Sequence, residues 1–210
     1  MSWLDKKVSL YHTHSDLIGR SSTFREVLLT SFGSNLTEII ALRQLDSNDP
    51  TYNFKKSSLK GRLQCYTPSA ILQSRKKGNV IAIESTGIMQ LDFDHSSIRD
   101  YDIKELKQAV FSLPFVGFCG LSCSGTGFYA LILIEEPEKL SEYAEHCFEI
   151  FKTEYGINVD TTKGRLLQDL RYISYDANML LRGNPDPLRI KCLRRNEASK
   201  NNFEYKPIKI

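Results

Sequence analysis

Acid is missing where base is plentiful. Between Pro50 and Ile83 the chain has no Asp or Glu, yet it carries Lys55, Lys56, Lys60, Arg62, Arg75, Lys76 and Lys77. Leu188 to Ile210 repeats the bias, with seven basic residues against two glutamates. One-signed stretches are candidate phosphate-binding surfaces, although a solvated loop has the same composition. The net charge of +3 selects no partner by itself. Cysteine is scarce and odd in number: Cys65, Cys119, Cys123, Cys147 and Cys192. Their spacing matches no zinc pattern, and Cys119 and Cys123 read as core thiols. No apolar run approaches the ~20 residues of a membrane span. Met1-Ser-Trp-Leu-Asp5 lacks the apolar stretch of a secretion signal. Internal repeats and low-complexity tracts are also lacking. The expectation is a cytoplasmic, reduced protein with no membrane partner.

What is present suffices for a core: 41% of the 210 residues are apolar and 25% are charged. The periodicity predicts a strand near Val8–Tyr11 and helix over 24–45, broken at Gly33-Ser34-Asn35. From Gly87 onward the patterns alternate. They read as a strand to Asp94, a helix over Asp102–Ser112 and strands at Val116–Gly120 and Phe128–Ile134. A helix over Leu140–Tyr155 and a short strand at Arg171–Ser174 complete the run. That is the β-α-β-β-α-β order of a ferredoxin-like or RRM-like sheet, so the fold class is α+β. Three parts follow: residues 1–86 as an N-terminal α/β and basic segment, 87–185 as the core, and 186–210 as a basic tail.

The most informative segment is Ile88-Met-Gln-Leu-Asp92-Phe-Asp94-His95. Alternate side chains of a strand share a face. Asp92 and Asp94 therefore point one way, about 6.5–7 Å apart at Cα, while Leu91 and Phe93 enter a core. Paired carboxylates repel, and Mg²⁺ or Mn²⁺ relieves the repulsion. On this reading, neutralising either Asp leaves stability unchanged or raises it. Two solvated aspartates at a strand end are the alternative.

Two further features converge on this pair. Ser122-Cys-Ser124-Gly125-Thr126-Gly127 is a tight turn whose glycines allow close backbone approach and whose N–H groups can cradle phosphate. An ordinary hairpin connection looks the same. Asp160 follows an apolar pair, and Arg171 comes eleven residues later. They are candidates for a further metal ligand and a triphosphate contact. A surface salt bridge from Arg171 to Asp169 or Asp176 is the plainer alternative.

In this order, Asp-x-Asp, Ser-Gly-x-Gly, and a lone Asp followed by Arg resemble the archaeo-eukaryotic primase (primase-polymerase) superfamily. The closer resemblance is to its VirE N-terminal-like branch of Bacteroidetes mobile elements and phages. It rests on Leu91-Asp92-Phe93-Asp94-His95, Ser122–Gly127 and Arg171-Tyr-Ile-Ser-Tyr-Asp176, with Thr67-Pro-Ser69-Ala closing the basic stretch. It spans residues 5–185. The resemblance implies a primase-polymerase fold: the RRM-like core with an N-terminal α/β extension. It implies a two-metal site of Mg²⁺ or Mn²⁺ on Asp92, Asp94 and Asp160, with Asp169 competing for the third place. Ser124, Gly125, Gly127, Tyr129 and Arg171 would contact a nucleoside triphosphate. Lys55 through Lys77 would track single-stranded DNA or a primer-template. Two cations suit in-line phosphoryl transfer.

The chain departs from the superfamily at Tyr129, where many members have His, and at Ala177, where Pro is common. No helicase domain follows, so a separate helicase is the expected partner. The leading expectation is a metal-dependent nucleotidyltransferase, a DNA primase-polymerase in replication of a mobile element or phage. The second is a catalytically weakened primase-like module that binds nucleic acid, and Tyr129 favours it. A third, a rolling-circle nickase, rests on His12-Thr13-His14 sharing a strand face, but nothing marks the tyrosine nucleophile it needs.

Overall fold

A strand with apolar side chains on both faces needs a cover on both. Ile88–Phe93 and Phe128–Leu133 are such strands, and the architecture follows from them. The computed structural model describes residues 2–189. In chain order its elements are β1 (Lys7–Tyr11), β2 (Arg20–Thr23), α1 (Phe24–Leu29), α2 (Leu36–Arg43) and α3 (Tyr52–Arg62). There follow β3 (Cys65–Thr67), β4 (Ala70–Lys76), β5 (Asn79–Ser85), β6 (Ile88–Phe93) and α4 (His95–Ile98). The chain continues with α5 (Ile103–Ser112), β7 (Val116–Leu121), β8 (Phe128–Leu133), α6 (Leu140–Tyr155), β9 (Arg171–Tyr172) and β10 (Leu180–Leu181). The strands form two four-stranded sheets, ordered β2-β1-β3-β9 and β10-β7-β8-β6, and a β4-β5 hairpin. All named pairings are antiparallel.

The second sheet is the middle layer. Met89, Leu91, Phe93, Phe128, Ala130 and Ile132 pack under α5 and α6. Ile88, Tyr129 and Leu131 face the other way, against Val8, Leu10, Tyr66 and the α1 residues Phe24 and Val27. The alternation expected from the sequence is therefore observed in β6 and β8. Phe93 stacks on Phe128 at 4.4 Å and meets Phe151 edge-on at 5.3 Å, which anchors the end of β6. Helix α5 begins where Asp102 accepts from the Glu105 N–H at 2.9 Å, an N-cap that satisfies a free donor. Helix α6 ends at Gly156, whose φ of +68° suits glycine.

The closing strand is where the expected sheet is corrected. Sequence order placed Arg171–Ser174 in the ferredoxin-like sheet. Instead β9 pairs with β3, with Tyr66 opposite Arg171, and so joins the first sheet. The flank of β6 is taken by irregular chain: the Asp160 N–H donates to the Asp92 carbonyl at 2.9 Å. Gly164, at φ +86°, lies directly on the Gln90 carbonyl. The fourth strand of the core sheet is β10, on β7. The mixed α+β class holds, and the first sheet draws strands from both sides of Gly87.

The basic stretch is not a loop. It forms α3, with no buried residue, then β3 and the β4-β5 hairpin. Nor do His12 and His14 share a strand. Strand β1 ends at Tyr11, and Asp16 closes a turn by accepting from the Thr13 N–H and hydroxyl. Cys65, Cys119, Cys123 and Cys147 are free and buried, as core thiols are. Cys192 and the basic tail from 190 onward lie outside the described residues. No helix among the described residues is long and apolar enough to cross a membrane.

Gly164 and Gly78 separate close approach from backbone conformation. A methyl at 164 meets both a positive φ and the Gln90 carbonyl. At Gly78 the φ is +79° but nothing lies within 4 Å. In urea denaturation Gly164→Ala should lose roughly 3 kcal/mol or more, and Gly78→Ala about 1 kcal/mol. Equal losses would show that Gly164 is not pressed against β6.

Candidate functional site

Asp92, Asp94 and Asp160 lie near one another at the C-terminal end of β6. Asp92 is the penultimate strand residue and is half-buried. Asp94 leaves the strand and stands at the start of α4 with an extended backbone; its side chain makes no capping bond. Asp160 is brought alongside by its N–H bond to the Asp92 carbonyl. Burial and the neighbouring charges of Asp92 and Asp160 raise the Asp94 carboxyl above its ordinary range. Asp169 is elsewhere engaged, accepting from the Leu166 N–H at 3.0 Å.

Each of the three keeps an oxygen uncommitted. Asp160 spends Oδ1 on the Thr162 N–H and hydroxyl, and Asp92 spends Oδ2 on Arg171. The Asp94 carboxylate accepts no hydrogen bond among the described residues. Hard oxygen donors of this kind suit Mg²⁺ or Mn²⁺, and the repulsion felt by Asp94 is what a cation offsets. Among the described residues, no three His, Cys, Asp or Glu side chains already converge as a metal cage.

Arg171 was expected at a triphosphate, with Asp169 or Asp176 as the plain salt-bridge partner. The structure places it 7% exposed between the sheets. Its Nη2 lies 3.0 Å from Asp92 Oδ2, and its Nε donates to Gln90 Oε1 at 2.8 Å. The guanidinium also sits 4.6 Å from the centre of the Tyr129 ring. Burial lowers its proton affinity, but Asp92 more than reverses this and the pKa lies above its ordinary value. Tyr129 shares its row of the sheet with Asp92. Burial pushes its phenol up to about 12, so it remains neutral. The positive charge beside Asp92 is therefore Arg171, reached from the other sheet.

The Gly-rich turn touches this same end. Gly127 lies against the Phe93 carbonyl, where a Cβ would overlap it, and Gly125 turns at φ +74°. Ser122, Ser124 and Thr126 form a hydroxyl chain at 3.2 and 3.1 Å. Sequence reading missed the residue that holds the turn: Arg43, at the end of α2. Its guanidinium donates to the carbonyls of Ser122 at 3.1 Å, Cys123 at 3.3 Å and Tyr175 at 2.6 Å. Nothing local marks it, because its acceptors lie about eighty and 130 residues away. Asp176 is a strut rather than a ligand. It takes Lys107 Nζ at 2.5 Å and the Leu121 N–H at 3.0 Å, and its side chain is 5% exposed.

The basic residues divide. Lys60 of α3 lies near enough to Asp94 to favour its charged form, and stands 5.9 Å above the Tyr172 ring. Lys56 lies over Tyr52 at 5.1 Å, and Phe54 on the same helix is 78% exposed. Arg62, Lys76 and Lys77 are exposed. Lys55 is paired with Asp49 at 2.6 Å. Arg75 is spent on the carbonyls of His14 and Asp16.

Residues 58–181, more than half of the chain, match the family described as BT4734-like, N-terminal domain, and the chain belongs to that family. The match contains Asp92, Asp94, the Gly-rich turn, Asp160 and Arg171, while Arg43 precedes it. No curated protein and no solved structure matches the chain.

The two aspartates of β6 should respond differently to neutralisation, contrary to the sequence expectation. Asp92→Asn leaves the Arg171 cation buried without its counter-charge and should cost roughly 3–5 kcal/mol. Asp94→Asn, with no partner to lose, should leave stability within about 0.5 kcal/mol or raise it. Chemical denaturation of both variants measures this. Equal stability would mean that Arg171 does not depend on Asp92.

Proposed function

The chain belongs to the BT4734-like family, and we propose, from the residues at its strand end, that it is a metal-dependent nucleotidyltransferase of the primase-polymerase type. The carrying observation is that Asp92, Asp94 and Asp160 lie about the strand end against which Gly127 packs. Carboxylates beside a hydroxyl- and N–H-bearing turn are what a cation–triphosphate complex requires.

In this reading Asp94 and the free oxygens of Asp92 and Asp160 hold Mg²⁺ or Mn²⁺. The ions supply charge neutralisation at the attacking and leaving oxygens. Arg171 is a positioning residue. It fixes Asp92 through Oδ2 and leaves Oδ1 without a hydrogen bond. Arg43 holds the Gly-rich turn against the strand end, and Ser124, Gly125 and Gly127 line the phosphates. Lys60, Lys56 and the aromatic rings of α3 form a basic, stackable surface leading to Asp94, which suits a single strand. Lys76, Lys77 and Arg62 extend the positive field. The substrates are then nucleoside triphosphates on single-stranded DNA or a primer-template, in replication of a mobile element or phage.

A second reading has its own support. The buried Arg171–Asp92 pair neutralises one of the three acids without a metal, and Tyr129 stands where related sites carry His. A nucleic-acid-binding module with weakened catalysis would look the same at these two positions.

The experiments separate the readings. With Mn²⁺, nucleoside triphosphates and primed single-stranded DNA, the wild-type chain should extend the primer. Asp94→Asn and Asp160→Asn should reduce extension at least a hundredfold while remaining folded. DNA binding without extension would favour the second reading. Affinity for single-stranded DNA should fall with salt, and Lys60→Glu should lower that slope by about 0.7 per lost phosphate contact. An unchanged slope would take α3 out of the nucleic-acid path.

A further inference from the structure

Beside the Gly-rich turn, on the sheet face that carries Asp92, lies a cleft of about 320 Å³. Four aromatic residues and several aliphatic ones line it. Phe32 and Tyr175 stand 4.9 Å apart at 38°, and Phe118 and Tyr129 stand 5.4 Å apart at 38°. At Gly120 the Phe118 ring lies over the backbone, where a Cβ would sit 2.6 Å from it. The acid among its lining residues, Asp176, is paired with Lys107, so the lining carries little net charge. Its size is at the lower end for small-molecule sites.

The position restricts what it takes. Asp92, Tyr129 and Gly120 lie in one row across β6, β8 and β7. Two strand spacings, about 10 Å, separate the cleft floor from Asp92. Leu121 lines the cleft and leads directly into the Ser122–Gly127 turn. Arg43 bonds both that turn and the Tyr175 carbonyl, so the two features are held as one unit. A planar ring in the cleft would have its substituent directed along the turn toward the carboxylates. Aromatic side chains accept any base, because every base has a π-face.

We infer that this cleft holds the nucleobase of the nucleoside triphosphate, stacked on Phe32 and Tyr175. The chain therefore binds nucleotide before, and independently of, a template. The inference rests on the nucleotidyltransferase reading for the ligand's phosphates but not for its base.

Titration calorimetry with three probes tests it: adenosine, inorganic tripolyphosphate with Mn²⁺, and ATP with Mn²⁺, all without DNA. Wild type should bind all three. Phe32→Leu keeps an apolar side chain but removes the π-face. It should weaken adenosine and ATP about tenfold and leave tripolyphosphate unchanged. Phe32→Tyr should restore both. If adenosine does not bind, or if Phe32→Leu binds ATP as wild type does, the inference is overturned. If adenosine binds in a Phe32-dependent way while tripolyphosphate does not bind, the cleft stands and the nucleotidyltransferase reading fails.

Discussion

Arg171 is a cation that two sheets share. It belongs to the first sheet by backbone pairing, since Tyr66 is its partner. Its side chain belongs to the second, through Asp92 and Gln90. A buried charge is tolerated only where it is paired. Once β9 carries an arginine inward, β6 must bring a carboxylate to the same level. A slip of one residue in either strand would turn that group to the opposite face. Gln90 is drawn into the same requirement. Its Oε1 accepts from Arg171, so the amide cannot flip, although its Nε2 is buried without a partner. An unmade bond of that kind costs roughly 1–3 kcal/mol. The Tyr129 ring beneath the guanidinium adds a cation–π contact.

This constraint gives the two acids of β6 different work. Asp92 is oriented from within the protein, and Asp94 is left to the surface beside Lys60. Asp160 is supplied by a segment that follows the flank of β6 without forming a strand. The closeness of Gly127 to the Phe93 carbonyl and of Gly164 to the Gln90 carbonyl shows how little space is left around the strand end. Geometry that could orient phosphates is thus a by-product of the contacts that join the layers.

Much of this was legible in the sequence, and the reasons are local. The alternation in Ile88–Phe93 and Phe128–Leu133 and the spacing of Leu140, Tyr143, Cys147 and Phe151 follow from period alone. Sheet membership was not legible for Arg171–Tyr172, because a two-residue strand carries no period and its partner is a hundred residues away. Helix α3 was hidden because none of its residues is buried and no apolar stripe marks it. Lys107 lies on the buried side of α5, which reads as a surface charge until Asp176 is placed beside it. Arg43 escaped for the same reason: its acceptors are backbone carbonyls, which sequence does not distinguish.

On the proposed reading, the carboxylates at the end of β6 take a divalent cation while Arg171 continues to hold Asp92. Anomalous diffraction from a crystal soaked with Mn²⁺ and a non-hydrolysable nucleoside triphosphate tests it most directly. The account predicts a manganese peak ligated by Asp94 and Asp160, with Asp92 contributing Oδ1 and its Oδ2 still on Arg171. No peak at the strand end, or a peak there with Arg171 and Asp92 parted, would contradict it.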